Sequence, residues 1–427
     1  MFFKLQILYF LVSIKVGKWF FNSGSMFLRN GLVRRLKNHL KQSPFYKPFV
    51  NNGFVINSFP IVNKKIFMDQ FDQMNTRSLK LDQCMELALK AEASRDFSPM
   101  IRDISVGLST GTSGNRGLFL TSVRERAMWV SCILDRVIGF SFKKRKIAFF
   151  LRANNNLYKA VQSGLLEFHF FDIFQSMDDH ILKLNKLKPN IIVAQPSVLI
   201  QIASAIQSGQ IFLSPGKIIS VAEVLTPEDK SFLERIFLQN VHQVYQCTEG
   251  FLAATCTYGI LHFNEDFLII EKKYIDSEKT RFHPIITDLL RSTQPVVRYE
   301  LNDILIEKEN CACGSRMMAI ECIEGRSDDV LVFKNQRNEK IKLFPDLFRK
   351  IIILSDEFVI DYCLIQKDFD YLKLYIHSDS FDSYKKVSAA LINELEERGV
   401  ENTFIERLGS SPFVIGEKKR RVKNEMC

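Results

Sequence analysis

The chain has 427 residues, of which 46% are hydrophobic and 25% charged, a composition that excludes a disordered or collagen-like protein. Its 58 lysines and arginines outnumber 48 aspartates and glutamates, so the formal charge is +10. The basic runs are short and separated, and we therefore expect no nucleic-acid partner. Nine cysteines, an odd number, do not make a secreted disulfide framework and favour a cytoplasmic protein.

Apolar side chains crowd the first 25 residues. The longest uninterrupted apolar run, Ile7 to Ser13, is far shorter than the roughly 20 residues that a membrane-spanning helix needs. No small-residue cleavage site of the signal-peptide kind follows it. The pattern predicts an amphipathic helix whose apolar face packs on the protein's own core or touches a membrane surface, which would make the protein peripheral.

The next elements change character along the chain. Leu32, Leu36 and Leu40 predict a helix that ends before Ser43-Pro44. Strand-length apolar runs then alternate with the helical patterns 196–208 and 227–238, and these runs occupy 147–151, 191–194, 218–222 and 241–245. This alternation is typical of a parallel α/β sheet. Apolar residues at 263–270 and 296–306 fit strands of a further, mixed sheet.

The last hundred residues have the pattern of a separate α+β domain. After Gly325 the sequence predicts strands at 330–333 and 371–376 and helices at 345–354 and 381–397. We therefore predict a large domain made of a helical part, residues 1–100, and an α/β core, residues 101–326. A small C-terminal domain, residues 327–427, follows it.

One segment is rich in glycine and hydroxyl side chains: Ser109-Thr110-Gly111-Thr112-Ser113-Gly114-Asn115-Arg116-Gly117. Glycines let backbone N–H groups converge on an anion, and hydroxyls donate hydrogen bonds to phosphate oxygens. No Lys-Ser/Thr pair closes the segment, so it is not a Walker loop. Taken alone, it fits a polar surface loop as well as a phosphate site.

The same segment resembles the pyrophosphate-binding loop of the adenylate-forming superfamily, and four further motifs follow in that family's order. They are Tyr245-Gln246-Cys247-Thr248-Glu249, Val297 to Asp303, Gly325-Arg326-Ser327-Asp328-Asp329, and Gly416-Glu417-Lys418 with Arg421-Val422. Other segments are similar to the phenylacetate-CoA ligase-like branch, which includes capsule-cluster proteins and ligases that adenylylate a deazaflavin coenzyme. These segments are Ser43-Pro44-Phe45-Tyr46, Gln195-Pro196-Ser197, Ala222-Glu223 and Cys311-Ala312-Cys313-Gly314.

The resemblance implies a large α/β domain with parallel and mixed sheets, a small mobile α+β domain, and ATP-dependent adenylation of a carboxylic acid. Glu249 would bind Mg²⁺ and take part in catalysis, Lys418 would be the catalytic lysine, and Asp328 the hinge. The residues implied to bind the nucleotide are Ser109, Thr110, Gly111, Thr112, Ser113, Gly114, Tyr245, Thr248, Asp303 and Arg326. The acyl group would then pass to a thiol, with coenzyme A as the expected acceptor.

Three departures from the family's pattern leave alternatives open. Asn115 stands where many members have lysine, Gln246 where glycine is usual, and Glu417 is inserted before Lys418, which makes Lys419 a competitor for the catalytic role. A carrier protein or an amine could replace coenzyme A, the enzyme could stop after adenylylation, and a catalytically silent binding protein is the alternative from another class. The carboxylate is not identified, and a homodimer is left open.

A second group of residues does not depend on ATP. Cys256, His262, Cys311 and Cys313 provide three thiols and one imidazole, the ligand set of a closed tetrahedral zinc site. Cysteines are also common as small apolar core residues. The sequence therefore predicts a structural Zn²⁺ site, with core packing as the alternative.

Overall fold

The computed structural model describes residues 2–96, 98–109, 116–139, 143–151, 165–414 and 418–426. These residues form two compact units: the larger contains Met1–Leu301 and Leu305–Ile323, and the smaller contains Asn302–Ile304 and Glu324–Cys427. The division after Ile323 lies three residues before the predicted boundary at 326.

The first hundred residues are helical. The helices are α1 (Phe2–Asn22), α2 (Phe27–Leu40), α3 (Lys47–Asn51), α4 (Lys64–Asp69), α5 (Phe71–Met74) and α6 (Leu81–Ser94), with a 3₁₀ turn at Ile56–Ser58. One face of α1 buries Ile7, Phe10 and Ile14 in the main core, which confirms the predicted packing of this amphipathic helix. Among the described residues, no helix combines the length and hydropathy that crossing a membrane requires.

A small antiparallel sheet follows the helices. Its strands are β1 (Met100–Ile101), β2 (Ile104–Leu108) and β3 (Leu118–Ser122). Helix α7 (Val123–Ile133) begins directly after β3 and continues as a π-helical segment, Leu134–Ile138. Ser122 and Glu125 form a capping box at the start of α7, which satisfies backbone N–H groups of its first turn.

The large unit is built around a twelve-stranded sheet. Its strands are β4 (Arg145–Leu151), β5 (Leu166–Asp172), β6 (Ile191–Ala194), β7 (Lys217–Ser220), β8 (Val241–Gln246), β9 (Phe251–Thr255), β10 (Leu261–Phe263), β11 (Leu268–Tyr274), β12 (Arg281–Asp288), β13 (Tyr299–Glu300), β14 (Asp303–Lys308) and β15 (Ala319–Arg326). The order is β11-β12-β14-β15-β10-β9-β8-β7-β6-β4-β5, and β13 pairs with β12. Strands β4 to β8 are parallel to one another, as the sequence predicts.

Helices alternate with the parallel strands. They are α8 (Met177–Leu187), α9 (Pro196–Gln207) and α10 (Pro227–Phe237). A proline in the first turn starts α9 and α10, where its missing N–H costs nothing. Apolar side chains of these helices pack on β4, β6 and β7 in a second core cluster, so the parallel half of the sheet is buried.

The small unit contains two sheets and two helices. Its elements are a 3₁₀ turn (Ser327–Asp329), β16 (Leu331–Lys334), β17 (Lys340–Leu343), α11 (Pro345–Ser355), β18 (Val359–Asp368), β19 (Tyr371–Ser378), α12 (Ser383–Glu397), β20 (Phe404–Arg407) and β21 (Val422–Asn424). Strands β16 and β17 form a hairpin, and the other four pair in the order β20-β19-β18-β21. Phe333, Phe348 and Leu391 are fully buried in its own core.

Candidate functional site

The carboxyl ends of three neighbouring parallel strands bring polar side chains to one edge of the sheet. Ser197 follows β6, Glu223 follows β7, and Thr248-Glu249 follow β8. The Ser197 hydroxyl lies 3.2 Å from the Glu223 carboxylate, and the Ser197 backbone N–H also donates to it, at 3.3 Å. Because open α/β sheets bind ligands beyond the carboxyl ends of their strands, this edge is the candidate site.

The tight turn between β8 and β9 presents Glu249. Cys247 N–H donates to the Gly250 carbonyl at 3.1 Å, and Gly250 N–H donates to the Cys247 carbonyl at 3.3 Å. A Cβ atom at Gly250 would lie 3.0 Å from the Asp288 carboxylate, so this turn approaches β12 too closely for a larger residue. The Thr248 hydroxyl donates to Glu249 Oε2 at 2.8 Å. The turn therefore fixes the orientation of the carboxylate that is predicted to bind Mg²⁺.

Tyr299 is a second partner of Glu249. Its ring is buried against Phe67 of α4 with centroids 5.4 Å apart. Burial, followed by the charge of Glu249 and a hydrogen bond to it, raises the pKa of the Tyr299 phenol. The phenol is thus neutral at physiological pH and donates to the carboxylate. Sequence reasoning did not identify Tyr299 as a site residue, although it belongs to a quoted motif.

The two described ends of the glycine-rich segment, Ser109 after β2 and Gly117 before β3, lie next to each other beside this antiparallel strand pair. Ser109 N–H donates to the Gly117 carbonyl at 2.8 Å, and Gly117 N–H donates to Ser109 Oγ at 2.7 Å. Lys64 Nζ of α4 lies 3.5 Å from Ser109 Oγ. The predicted phosphate ligands Thr110, Gly111, Thr112, Ser113 and Gly114, together with Asn115, lie outside the described residues. Lys64, which sequence reasoning missed, thus places a cation beside the start of this segment.

One cavity of the large unit connects these features. It is lined by Lys64, Gly117, Thr248, Glu249, Arg291 and Tyr299, together with Phe67, Met68, Leu118, Phe119, Gln294 and Val296. The cavity thus contains two cations, Lys64 and Arg291, and one carboxylate, Glu249, together with Gly117 at the end of the glycine-rich segment. Such a set suits an anionic ligand that carries a divalent cation.

Two residues of the quoted motifs, Tyr245 and Arg298, make contacts that support the fold. Tyr245, a predicted nucleotide ligand, is buried in the main core with its ring centroid 6.3 Å from that of Phe263, and it is not among the cavity residues. Arg298 has φ of +46° and makes a two-pronged ion pair with Glu271, at 2.9 and 2.7 Å. Arg298 also donates to the Phe59 carbonyl at 2.7 Å, so it ties β11 to the helical region.

The small unit holds the other predicted nucleotide and hinge residues together. Arg326 Nε lies 3.4 Å from Asp303 Oδ1, so the two side chains implied to bind the ribose are neighbours. Asp328 Oδ2 accepts a hydrogen bond from Asn302 Nδ2 at 3.1 Å. Arg420 Nε donates to Asp329 Oδ1 at 2.7 Å. These contacts join the 3₁₀ turn at Ser327–Asp329 to the start of β14 and to the C-terminal segment.

The two candidates for the catalytic lysine lie side by side. Lys419 Nζ forms an ion pair with Asp361 Oδ2 at 2.5 Å and lies over the Phe413 ring. Lys418 is half-buried, and the motif residues Gly416 and Glu417 before it lie outside the described residues. Lys419 is thus part of a structural ion pair, and the choice of Lys418 as the catalytic lysine stays a prediction from the motif spacing.

The four predicted zinc ligands converge in the large unit. Cys256 follows β9, His262 lies in β10, and Cys311 and Cys313 lie between β14 and β15. All four candidate ligand atoms lie within 4.8 Å of one another. Cys256 and Cys311 sulfurs are 3.7 Å apart, and Cys313 Sγ is 3.4 Å from His262 Nε2. His262 Nδ1 faces the Met317 carbonyl at 2.9 Å, which leaves Nε2 as the metal-binding nitrogen.

These distances test the fit of a zinc ion. With Zn–S bonds of about 2.3 Å and Zn–N bonds of about 2.0 Å, a tetrahedron places two sulfurs about 3.8 Å apart and sulfur and nitrogen about 3.5 Å apart. The Cys256–Cys311 and Cys313–His262 separations agree with these values, and the other pairs lie within 4.8 Å. The residues present therefore fit Zn²⁺, and a core-packing role alone does not require this convergence of four ligands.

Comparisons with known proteins place the fold. No family model matches the chain. Protein CapK of Staphylococcus aureus is 27% identical over 263 residues, which cover 59% of this chain and 56% of that protein. Indoleacetate–lysine synthetase of Pseudomonas savastanoi is 25% identical over 232 residues, which cover 50% of this chain and 56% of that protein. The matched stretch thus spans about half the length of each relative.

A solved structure matches nearly the whole chain. The crystal structure of 2-hydroxyisobutyryl-CoA ligase in the postadenylation state, in complex with an acyl-AMP, superposes with a TM-score of 0.64. The superposition covers 92% of this chain and 88% of that one at 15% identity. At this identity the match shows a shared fold. It confirms the predicted architecture of a large α/β domain followed by a small α+β domain.

Proposed function

We propose that this chain, which has the fold of the adenylate-forming superfamily, uses ATP to adenylate a carboxylic acid. In this reaction a carboxylate oxygen attacks the α-phosphorus of ATP, the bond to the leaving pyrophosphate breaks, and acyl-adenylate forms. Charge moves between anions, so catalysis depends on positioning and electrostatic stabilisation. The single observation that carries the proposal is the cavity where Lys64, the Gly117 end of the glycine-rich loop and the Thr248-Glu249 pair meet.

Each cavity residue has a task in this reaction. Glu249, held by Thr248 and Tyr299, would bind the Mg²⁺ that accompanies ATP, because Mg²⁺ prefers one or two carboxylates plus phosphate oxygens. Lys64 would neutralise charge on the leaving pyrophosphate, the task that lysine has in many relatives at the position of Asn115. Ser109 and the hydroxyls and N–H groups of residues 110–114 would hold the phosphates, as the resemblance implies.

The remaining roles belong to the small unit and to β8. Asp303 would accept hydrogen bonds from both ribose hydroxyls, and its neighbour Arg326 would add a contact to the ribose or a phosphate. Lys418 would bind the developing charge during adenylation. The role of Tyr245 stays a prediction from the motif, with its buried ring supporting the strand that carries Thr248 and Glu249.

The test is exchange of labelled pyrophosphate into ATP, driven by a panel of carboxylic acids. Glu249→Gln removes the charge that binds Mg²⁺ and should lower exchange by on the order of 10²-fold or more. Glu357→Gln, at an exposed position of the small unit, is the matched control and should exchange like the unaltered protein. Full exchange by a folded Glu249→Gln variant, or no exchange with any acid, would refute the proposal.

We propose coenzyme A as the acceptor of the acyl group, because the matched solved structure is a CoA ligase. A second acceptor, an amine, is supported by the similarity to a synthetase whose name joins indoleacetate to lysine. Mass spectrometry of the products from acid and ATP with coenzyme A, and separately with lysine, distinguishes an acyl thioester from an amide. Exchange activity without either product would indicate an enzyme that stops at the adenylate.

We further propose a structural zinc ion bound by Cys256, His262, Cys311 and Cys313. Four protein ligands leave no open position for a substrate, so the ion would stabilise the fold. The eight cysteines in the described part of the chain form no disulfide bond with one another, which accords with the reducing compartment that the sequence favours. Metal analysis of protein purified without added zinc should give about one zinc per chain, and Cys311→Ser should lose it. Metal-free preparations of stable protein would refute the site.

A further inference from the structure

The outer face of α1 is an exposed apolar stripe. Its side chains recur at helical spacing and have between 40% and 66% of their surface exposed: Leu5, Leu8, Tyr9, Val12, Val16 and Trp19. At 100° per residue these positions fall within an arc of about 100°, opposite the face that buries Ile7, Phe10 and Ile14. The helix therefore has two apolar faces, and only one of them packs on the core.

Basic side chains border this stripe. Lys4 and Lys15 are exposed and lie along one edge of it, at helical positions next to Leu8 and Trp19. On α2, which contacts α1, the exposed face combines Phe27, 68% exposed, with Arg34 and Lys41. Apolar and cationic side chains thus alternate over the outer surface of the two helices.

The net charge of the chain arises in the same segment. Residues 1–68 contain eleven lysines and arginines and not one aspartate or glutamate, whereas the whole chain has a formal charge of +10. The rest of the sequence is therefore nearly neutral. Exposed cations such as Lys4 and Arg34 next to an exposed apolar stripe are unusual for a surface that faces only water.

We propose that α1 and α2 form a docking surface for a membrane leaflet rich in anionic lipids. Charge complementarity selects the occupant: lysines and arginines attract anionic headgroups, each contributing about 1 kcal/mol near such a surface. The stripe would enter the boundary between headgroups and acyl chains, lying in the membrane plane without spanning the bilayer. Tyr9 and Trp19 suit this depth, because each has an apolar ring and a polar tip.

Two other occupants fit the surface less well. A second copy of the chain would bring the exposed cations of this face, among them Lys4, Lys15 and Arg34, against each other across a symmetric contact, and like charges oppose that association. A nucleic acid would pair with the cations but leave the apolar side chains against a charged backbone. A membrane that contains anionic lipids would interact favourably with both the cations and the apolar stripe. Membrane docking by α1 and α2 does not depend on the adenylation reaction.

The test is co-sedimentation of the full chain with vesicles of phosphatidylcholine, alone or with about one third phosphatidylglycerol. We expect at least about tenfold stronger partitioning to the anionic vesicles, weakened by salt. Two double variants should each lower the partitioning to anionic vesicles by about tenfold or more. Leu8→Gln/Val12→Gln removes apolar side chains, and Lys4→Gln/Lys15→Gln removes charge. Anionic vesicles should also shift the fluorescence of Trp19 to the blue, and Trp19→Phe should abolish that shift.

The matched control is Leu182→Gln on α8, where the leucine is 70% exposed but lies outside residues 1–68. It should bind vesicles like the unaltered protein. All changed side chains are exposed, so thermal unfolding should be the same for every variant. Equal binding by the α1 variants, or no binding to anionic vesicles, would overturn the proposal. A dimer in sedimentation velocity that the stripe variants abolish, without vesicle binding, would instead assign the face to a second copy.

Discussion

Lys64 provides a cation beside Ser109, the residue at the start of the glycine-rich segment. Its ammonium lies 3.5 Å from Ser109 Oγ and lines the cavity with Glu249. Lys64→Met keeps the length of the side chain and removes its charge. We expect the KM for ATP in pyrophosphate exchange to rise by on the order of tenfold, because one ionic contact to a phosphate is lost.

The next residue of α4 is the control for this change. Lys65 is exposed and points about 100° away around the helix, so Lys65→Met should leave the KM for ATP unchanged. If Lys64→Met and Lys65→Met have the same KM as the unaltered protein, Lys64 does not contact the nucleotide. The compensation for Asn115 must then come from another cation.

Asp288 should make stability depend on pH. Its carboxyl group is buried beside the β8–β9 turn, and burial raises its pKa to about 6, whereas an unfolded aspartate has a pKa of about 3.9. The native state thus holds this proton more tightly, and the stabilisation present below about pH 4 is lost as pH rises through 6. Asp288→Asn stays neutral and keeps an acceptor for the Leu290 N–H, which Asp288 Oδ1 binds at 2.8 Å.

Denaturant unfolding at pH 4 and pH 8 measures this effect. Relative to the unaltered protein, Asp288→Asn should gain up to roughly 3 kcal/mol of unfolding free energy between these two pH values. Asp178→Asn, at an exposed position in the first turn of α8, should show no such gain. A constant difference between Asp288→Asn and the unaltered protein would mean that Asp288 titrates normally.

At the scale of elements, local pattern predicted the parallel half of the sheet well. Runs of β-branched and apolar residues coincide with β4, β6, β7 and β8, and the proline-led helical patterns coincide with α9 and α10. The central strands β6 and β7 are almost entirely buried, and their sequences are continuous apolar runs apart from their ends. Here local propensity and tertiary burial favour the same structure.

The segment 263–270, which the sequence predicts to be strand-forming, is interrupted by a turn for a non-local reason. The structure has β10 and β11 with a turn between them, in which Asn264 and Asp266 are buried. Arg136, distant in sequence, forms a buried ion pair with Asp266 at 2.6 Å and also hydrogen-bonds Asn264. A buried carboxylate needs such a partner, and nothing in the local sequence indicates which residue it is.

The loop that contains Cys311 and Cys313, two ligands of the proposed zinc site, also contacts the end of α1. Asn22 Oδ1 accepts hydrogen bonds from Ser315 Oγ and from the Arg316 backbone N–H, both at 3.2 Å. Removing zinc should release the loop that carries Cys311 and Cys313 and weaken these contacts. Hydrogen exchange should then speed up in residues 311–318 and 19–24 after chelation, while α8 keeps its protection. Unchanged hydrogen exchange in both segments after chelation would show that metal binding does not stabilise the end of α1.

At the scale of the whole molecule, the motif order predicted the fold, but the site only in part. Thr248 and Glu249 follow the carboxyl end of the parallel strand β8, where sheets of this kind bind ligands, whereas Ser109 follows β2 of the small antiparallel sheet. Lys64 and Tyr299 were missed because each reaches its partner through tertiary packing: Lys64 extends from a short helix in the helical region, and Tyr299 from a two-residue strand. The pattern of a single sequence does not show which distant residues tertiary packing brings together.

The 3₁₀ turn at Ser327–Asp329, which begins four residues after the division at Ile323, contains Asp328, the hinge residue that the motif predicts. If the small unit must rotate between adenylation and acyl transfer, the turn must change its backbone angles. Asp328→Pro fixes φ near −65° and should slow one half-reaction by tenfold or more while sparing the other. Pyrophosphate exchange measures the first half-reaction, and conversion of pre-formed acyl-adenylate with coenzyme A measures the second. Asp328→Ala also loses the 3.1 Å bond from Asn302 but keeps backbone freedom, so it should retain both. Equal rates for Asp328→Pro and Asp328→Ala in both assays would show that this turn is not the hinge.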